Sequence, residues 1–227
     1  MRDGWSVRDR LVLRVTGTAS RTAVATLRDF LQTAMSDHDF TWPFGFDEHL
    51  NRYENLIQSG SLLANHKICT FAQDNPELLG MGTTLAVLFA QGDEIVIAHV
   101  GDSRIYRMRQ GALQLLTIDH SWVNEQLQRN VITEQEARHH RWRNVITRAL
   151  GNRFDIQIDL QSLPGQGGDL FLLCSDGLTS MVDDAALVGL LRENDGNLET
   201  ACNTLIDAAN QAGGLDNISV ILVRVLP

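Results

Sequence analysis

Four short apolar runs with almost nothing between them constrain this chain most. TTLAVLFAQ (83–91), EIVIAHV (94–100), RIYRMR (104–109) and ALQLL (112–116) are parted only by Gly-Asp, Gly-Asp-Ser and Gln-Gly. Connections of two or three residues cannot carry the crossover that a parallel pair needs, so the stretch is expected to fold as an antiparallel β-meander. DIQIDLQSL (155–163) and DLFLLCS (169–175), joined through a Gly-Gln-Gly-Gly turn, read as a hairpin, and NISVILVRV (217–225) as a closing strand. LFLLC and ISVILV are apolar on both faces, which predicts central strands covered on both sides.

Helical spacing appears on either side of these runs. Ala23, Val24, Leu27, Leu31 and Met35 recur at the helical period, with Ser20 placed to cap the first turn. Pro43 and Gly45 interrupt the chain. A second helix is expected over about 47–72, with Leu50, Tyr53, Ile57, Leu63 and Phe71 near one face and Gly60 as a point of kinking. Residues 121–150 read as irregular helix carrying Val123, Leu127 and Val131, and two more helices are expected near 183–193 and 197–212. The fold class is therefore α+β, with antiparallel sheets packed on each other and helices outside. No linker divides the chain, which reads as one domain.

Bulk chemistry narrows the function. The 227 residues are 44% hydrophobic and carry a net charge of −9, with no run of Lys or Arg of the kind that grips nucleic acid. No apolar stretch approaches the ~18 residues of a membrane span. The first 15 residues lack the apolar core of a signal peptide. Three widely spaced cysteines, Cys69, Cys174 and Cys202, suit reduced thiols in the cytoplasm.

Three aspartates sit where apolar runs end: Asp102 after EIVIAHVG, Asp176 after DLFLLCS, and Asp216 just before NISVILV. If those ends meet at one rim, either one carboxyl protonates or a cation enters, because two carboxylates ~4 Å apart repel by about 4 kcal/mol at an effective dielectric near 20. Hard oxygen donors without cysteine or paired histidine favour Mg²⁺ or Mn²⁺. Two such ions could bridge a water, lower its pKa towards 7 and aim it at a phosphate ester. Ordinary turn chemistry also accounts for an aspartate beside Gly or Ser, and both readings stand on spacing alone. Ser175 reads as a turn residue, not a nucleophile.

The strings GMGTTLAVLF (80–89), AHVGDSRIY (98–106), LTIDHS (116–121), NVITRALG (144–151), LLCSDGLT (172–179) and GGLDNISVILV (213–223) together resemble successive motifs of the bacterial metal-dependent protein phosphatases, the PPM or type 2C family, over about residues 19–225. The resemblance implies a β-sandwich flanked by helix pairs and a dinuclear Mn²⁺/Mg²⁺ centre that hydrolyses phosphoserine and phosphothreonine, in proteins targeted by a Ser/Thr kinase. It makes Asp176 and Asp216 ligands of the two core metals and Asp102 the ligand of a third, weaker one. Residues 121–150 become a flap beside the site. His139 and His140 fall there, as substrate-reading groups or as solvated surface histidines.

Members of that family also open with an Asp-Gly-Met-Gly-Gly-His box before the first helix. No such string occurs here: Asp3-Gly4 is followed by Trp5-Ser6, and Asp9 has no glycine after it. Residues 1–18 are therefore expected to be an atypical start with the first strands missing or altered, ahead of a phosphatase-like domain over 19–227. Either the upstream nucleotides encode the box in another frame, or the site lacks its bridging carboxylate. Loss of ~3–4 kcal/mol of transition-state stabilisation would slow turnover on the order of a hundred- to a thousandfold. Three functions stay open on this reading: a protein Ser/Thr phosphatase, a phosphatase-like module that binds without turnover, and a small-molecule phosphohydrolase.

Overall fold

The first helix, α1, spans Thr18–Ser36, and its buried residues Ala19, Ala23, Leu27, Phe30 and Ala34 recur at the helical period; of the face read from the sequence Ala23 and Leu27 are buried, Val24 and Leu31 half-buried, and Met35 is exposed. Its cap differs: Gly17 holds the N-cap position, and Ser20 Oγ donates to Gly17 O within the first turn. The structure is a computed structural model and describes residues 17–37 and 40–226. The atypical start, including LVLRV, Asp3 and Asp9, lies outside the described residues but for Gly17 and Thr18.

Helix α2 (Arg52–Asp74) begins later than hydrophobicity alone suggests, because Asn51 and Glu54 form a reciprocal capping box. Asn51 Oδ1 accepts from the N–H groups of Tyr53 and Glu54 at 2.8 and 2.9 Å, and Glu54 Oε2 accepts from the Asn51 N–H at 2.9 Å. The helix runs unbroken through Gly60. A Cβ there would stand 2.5 Å from Leu27 Cδ1, so this glycine lets α1 and α2 approach closely and is not a kink. The buried face carries Leu56, Ile57, Ala64, Ile68 and Ala72, while Phe71 is exposed.

The strands are β1 (Leu85–Gln91), β2 (Glu94–Val100), β3 (Arg104–Arg109), β4 (Ala112–Leu115), β5 (Asp159–Pro164), β6 (Leu170–Cys174) and β7 (Val220–Arg224). They form two sheets, ordered β1-β2-β5 and β4-β3-β6-β7. The four-strand meander is thus corrected to two hairpins, β1–β2 and β3–β4, with the chain changing sheet at Gly101-Asp102-Ser103. The 155–163 and 169–175 runs change sheet likewise and do not pair. A short connection closes a hairpin or passes a strand to another sheet with equal ease, and its length does not distinguish the two.

Two compact units result. One runs through Gly101 and resumes over Asp119–Leu163. In it α1 and α2 lay Ala19, Ala23, Ile57, Ala64 and Ile68 against Leu85, Val96, Ala98 and Val100 of the three-stranded sheet. The short helices α3 (Trp122–Gln128) and α4 (Glu134–His139) also belong to it. The other unit takes Asp102–Ile118 and the chain from Pro164 onward. Its four-stranded sheet carries α5 (Asp176–Thr179), α6 (Asp184–Glu193) and α7 (Leu198–Gln211), and Tyr106, Leu172, Leu178, Leu187, Leu191 and Leu205 form the core between sheet and helices.

β6 is central and buried at all five positions, as its doubly apolar run requires. Each fully buried large apolar side chain there contributes roughly 1.5–3 kcal/mol. β7 was expected to be equally covered. It stands instead at the end of its sheet, half-buried throughout. At the far end of β3 and β6, Arg109 donates to Asp169 with Nε and Nη2, both at 2.6 Å, and Asp169 is 1% exposed. Burial pushes the Asp169 carboxyl up, but the Arg109 hydrogen bonds, the Gln166 N–H and the charges of Arg109 and Arg107 outweigh it and hold the group below its ordinary value.

Candidate metal centre

Strand register decides where the three aspartates go. Arg104 at the start of β3 pairs with Cys174 at the end of β6, and Cys174 pairs with Val220 at the start of β7. Asp102 lies two residues before Arg104, Asp176 two after Cys174, and Asp216 four before Val220. All three therefore sit at one end of the four-stranded sheet. Asp102 and Asp176 are half-buried and Asp216 is exposed.

The junction of β6 and β7 is latched at this end. Ser175 Oγ donates to Asn217 O at 2.9 Å and accepts from the Ser219 N–H at 2.9 Å, while the Ser175 N–H donates to Ser219 O at 3.1 Å. Both roles of the hydroxyl are thus filled by backbone, which leaves Ser175 a structural pin. Gly177 completes the fit: a Cβ there would stand 2.5 Å from Asn217 O, 2.9 Å from Asn217 C and 3.4 Å from Asp216 C. The glycine of Ser-Asp-Gly is what lets the Asp176 backbone lie against the Asp216-Asn217 backbone. Asp216 Oδ1 in turn accepts from the Asn217 N–H at 2.6 Å.

The donor set suits a hard divalent cation: carboxylates held on backbone of fixed geometry, with no competing thiolate at the sheet end except Cys174, which is buried. Among the described residues, however, the trio whose ligand atoms all lie within 4.8 Å of one another is a different one, His99, His120 and Asp159. The three aspartates share a sheet end without gathering so tightly.

That second cluster belongs to the unit built on the three-stranded sheet, and the sequence reading missed it. His120 Nδ1 accepts from the Gly101 N–H at 3.0 Å, so a neutral His120 carries its proton on Nε2 and donates it to Asp159 Oδ2 at 2.9 Å. Arg148 Nη1 donates to Asp159 Oδ1 at 2.6 Å, and the His99 ring stands 4.9 Å from that of His120. Burial pushes the Asp159 carboxyl up, but the hydrogen bonds and charges of His120 and Arg148 together hold it below its ordinary value. A metal-bound histidine normally donates from its free ring nitrogen. Here that nitrogen faces a donor and a guanidinium already neutralises the carboxylate, so the cluster is a hydrogen-bonded strut and not an ion site. Its one legible sign was a pair of histidines, in AHV and DHS, at the ends of apolar runs.

The two flap histidines differ from one another. His139 is exposed, with Nδ1 3.1 Å from Gln135 O. His140 is half-buried, stacks on Trp122 at 4.5 Å and accepts from the Trp142 N–H at 3.1 Å.

Comparison with known proteins agrees with this architecture. Residues 15–206 match the model of the family described as Protein phosphatase 2C. The chain is 42% identical over 194 residues to protein phosphatase PhpP of Streptococcus pneumoniae, covering 86% of this chain and 78% of that protein. It superposes with a TM-score of 0.79 and 29% identity on the serine/threonine phosphatase PstP/Ppp of Mycobacterium tuberculosis, over 92% of this chain and 82% of the other. A structure of the PstP catalytic domain in complex with two manganese ions gives a TM-score of 0.76 at 29% identity, over 92% and 81% of the two chains. On these grounds the chain belongs to the protein phosphatase 2C family.

Proposed function

We propose that Asp176 and Asp216 hold two Mn²⁺ or Mg²⁺ ions, that Asp102 serves a third, and that the chain removes phosphate from phosphoserine and phosphothreonine in proteins, the products of a Ser/Thr kinase. The observation that carries this reading is the latched β6–β7 junction, where Ser175 and Gly177 fix the backbones of both aspartates against each other. Further support comes from relatives named as serine/threonine phosphatases and from the PstP structure that holds two manganese ions. In the same reading the phosphatase-like domain begins near residue 19 and residues 121–150 form a flap. A cytoplasmic setting is part of it too, supported by cysteines that form no disulfide among the described residues. Among the described residues no helix is long and apolar enough to cross a membrane.

The chemistry follows from what each group can do. When bound, the divalent ions supply charge to the phosphate oxygens and lower the pKa of a water. Asp176 and Asp216 contribute the negative charge that lets cations stand close together. The Asn217 N–H orients one Asp216 oxygen, and the Ser175 pin keeps the two aspartates from drifting apart. In-line attack on phosphorus then needs no protein nucleophile, consistent with the Ser175 hydroxyl being committed to Asn217 O and the Ser219 N–H.

The test is hydrolysis of p-nitrophenyl phosphate and of a phosphothreonine peptide with Mn²⁺, by the chain and by Asp176→Asn. Metal-dependent turnover that falls on the order of a thousandfold in the variant supports the reading. Absence of turnover with retained phosphopeptide binding replaces it by the binding-module reading. Turnover of p-nitrophenyl phosphate alone points to a small-molecule phosphohydrolase.

A further inference from the structure

We propose that His120 is a positioning residue for Asp102, acting through the backbone of Gly101. The inference rests on the reading of Asp102 as a cation ligand.

His120 is 6% exposed and takes both backbone polar groups of Gly101. Its own N–H donates to Gly101 O at 2.7 Å, and its Nδ1 accepts from the Gly101 N–H at 3.0 Å. Gly101 has φ +110°, and a Cβ there would stand 2.4 Å from Thr84 Cγ2. The peptide is thus gripped by His120 and pressed against Thr84, in a conformation that only glycine holds without strain. Asp102 is the next residue, so the Gly101 dihedrals set the direction in which it leaves the corner.

The grip is itself anchored. Nε2 donates to Asp159, and Arg148 binds Asp159 at its other oxygen. The Thr147 N–H donates to His120 O at 2.9 Å. Asp159 fixes the tautomer: with the proton on Nε2, Nδ1 is free to accept from Gly101. Arg148, Asp159, His120 and Gly101 form one continuous chain of hydrogen bonds that ends on the residue before Asp102. Its energy is spent on orientation, and for groups that orient a metal ligand the usual consequence of removal is a ten- to hundredfold loss of metal affinity.

The experiment titrates the metal-free full chain with Mn²⁺ and reads free Mn²⁺ by its electron paramagnetic resonance signal, with phosphatase activity at each metal level as a second readout. Asp102→Asn and His120→Phe are each expected to weaken the weakest class of Mn²⁺ sites about tenfold or more. His120→Asn places an amide oxygen where Nδ1 was and restores uptake to within about threefold, whereas His120→Gln, whose oxygen lies one bond further out, does not. In the double variant His120→Phe/Asp102→Asn, uptake is no weaker than in Asp102→Asn alone, because one effect acts through the other. A merely structural histidine would not give that pattern. Should His120→Phe fail to fold, the Asn and Gln variants carry the comparison. Unchanged uptake in His120→Phe, or an additive double variant, overturns the inference while Asp102 keeps its role. Unchanged uptake in Asp102→Asn overturns the assignment of Asp102 and the inference with it.

Discussion

Replacing Gly177 by alanine adds one methyl group at the closest backbone approach of the candidate centre. That Cβ would stand 2.5 Å from Asn217 O, about 0.9 Å short of the 3.4 Å at which ordinary contact begins. The obstacle is main chain, pinned by the two hydrogen bonds of Ser175 Oγ, so no rotamer change relieves it. The backbones bearing Asp176 and Asp216 must separate by most of that distance. Overpacking of this kind costs about 1–3 kcal/mol of stability, and a displacement near 1 Å at reacting groups costs on the order of a hundredfold in rate. The assay is kcat/KM for Mn²⁺-dependent hydrolysis of p-nitrophenyl phosphate, with a urea midpoint measured in parallel. Gly189→Ala on α6 is the control. Nothing lies within 4 Å of its Cβ, so activity should hold and stability should rise by roughly 0.5–1 kcal/mol. Wild-type kcat/KM in Gly177→Ala would refute the idea that this contact sets the spacing of the two aspartates.

Other outcomes follow from the same structure. Asp169→Asn removes the carboxylate that accepts from the Arg109 guanidinium and the Gln166 N–H and should lower the urea midpoint, which an unchanged midpoint would contradict. Asp159 and Asp169 both have native carboxyl pKa values held below their unfolded ones. Their stabilisation is therefore complete above about pH 5 and is lost as pH falls through the native values. Stability curves from pH 7 to pH 2 should show this acid limb, and Asp169→Asn should flatten it. Dialysis against EDTA should abolish phosphatase activity and added Mn²⁺ should restore it, with calcium a poor substitute because it relaxes the geometry that a smaller ion keeps.

The sequence made the elements legible and their partners much less so. Runs such as EIVIAHV and LFLLC announce strands through branched and apolar side chains, and both fold as strands with bounds within a residue or two. What hydrophobicity does not encode is which sheet a strand joins. The Gly-Asp-Ser corner has the length of a hairpin turn but passes the chain from β2 to β3 in different sheets. The apolar content of ISVILV likewise said nothing of position, and β7 ended at a sheet edge. In α2 the packing face was misjudged because small residues mark it: Ala64 and Ala72 are buried while Phe71 is exposed. The aspartates were conspicuous because each closes or opens an apolar run. The His120–Asp159–Arg148 strut was not, since its members come from separate stretches and look individually like ordinary polar residues.

The Ser175 latch carries a consequence for the birth of the molecule. β6 and β7 are neighbours in the sheet but are separated along the chain by α5, α6 and α7. Asp176 is synthesised as the first residue of α5 and Asp216 only after α7, so a nascent polypeptide holds only part of its acidic cluster until β7 zips onto β6. Catalytic competence should therefore arrive late and abruptly during translation, and a ribosome stalled before that strand emerges would display a mostly folded but inert chain.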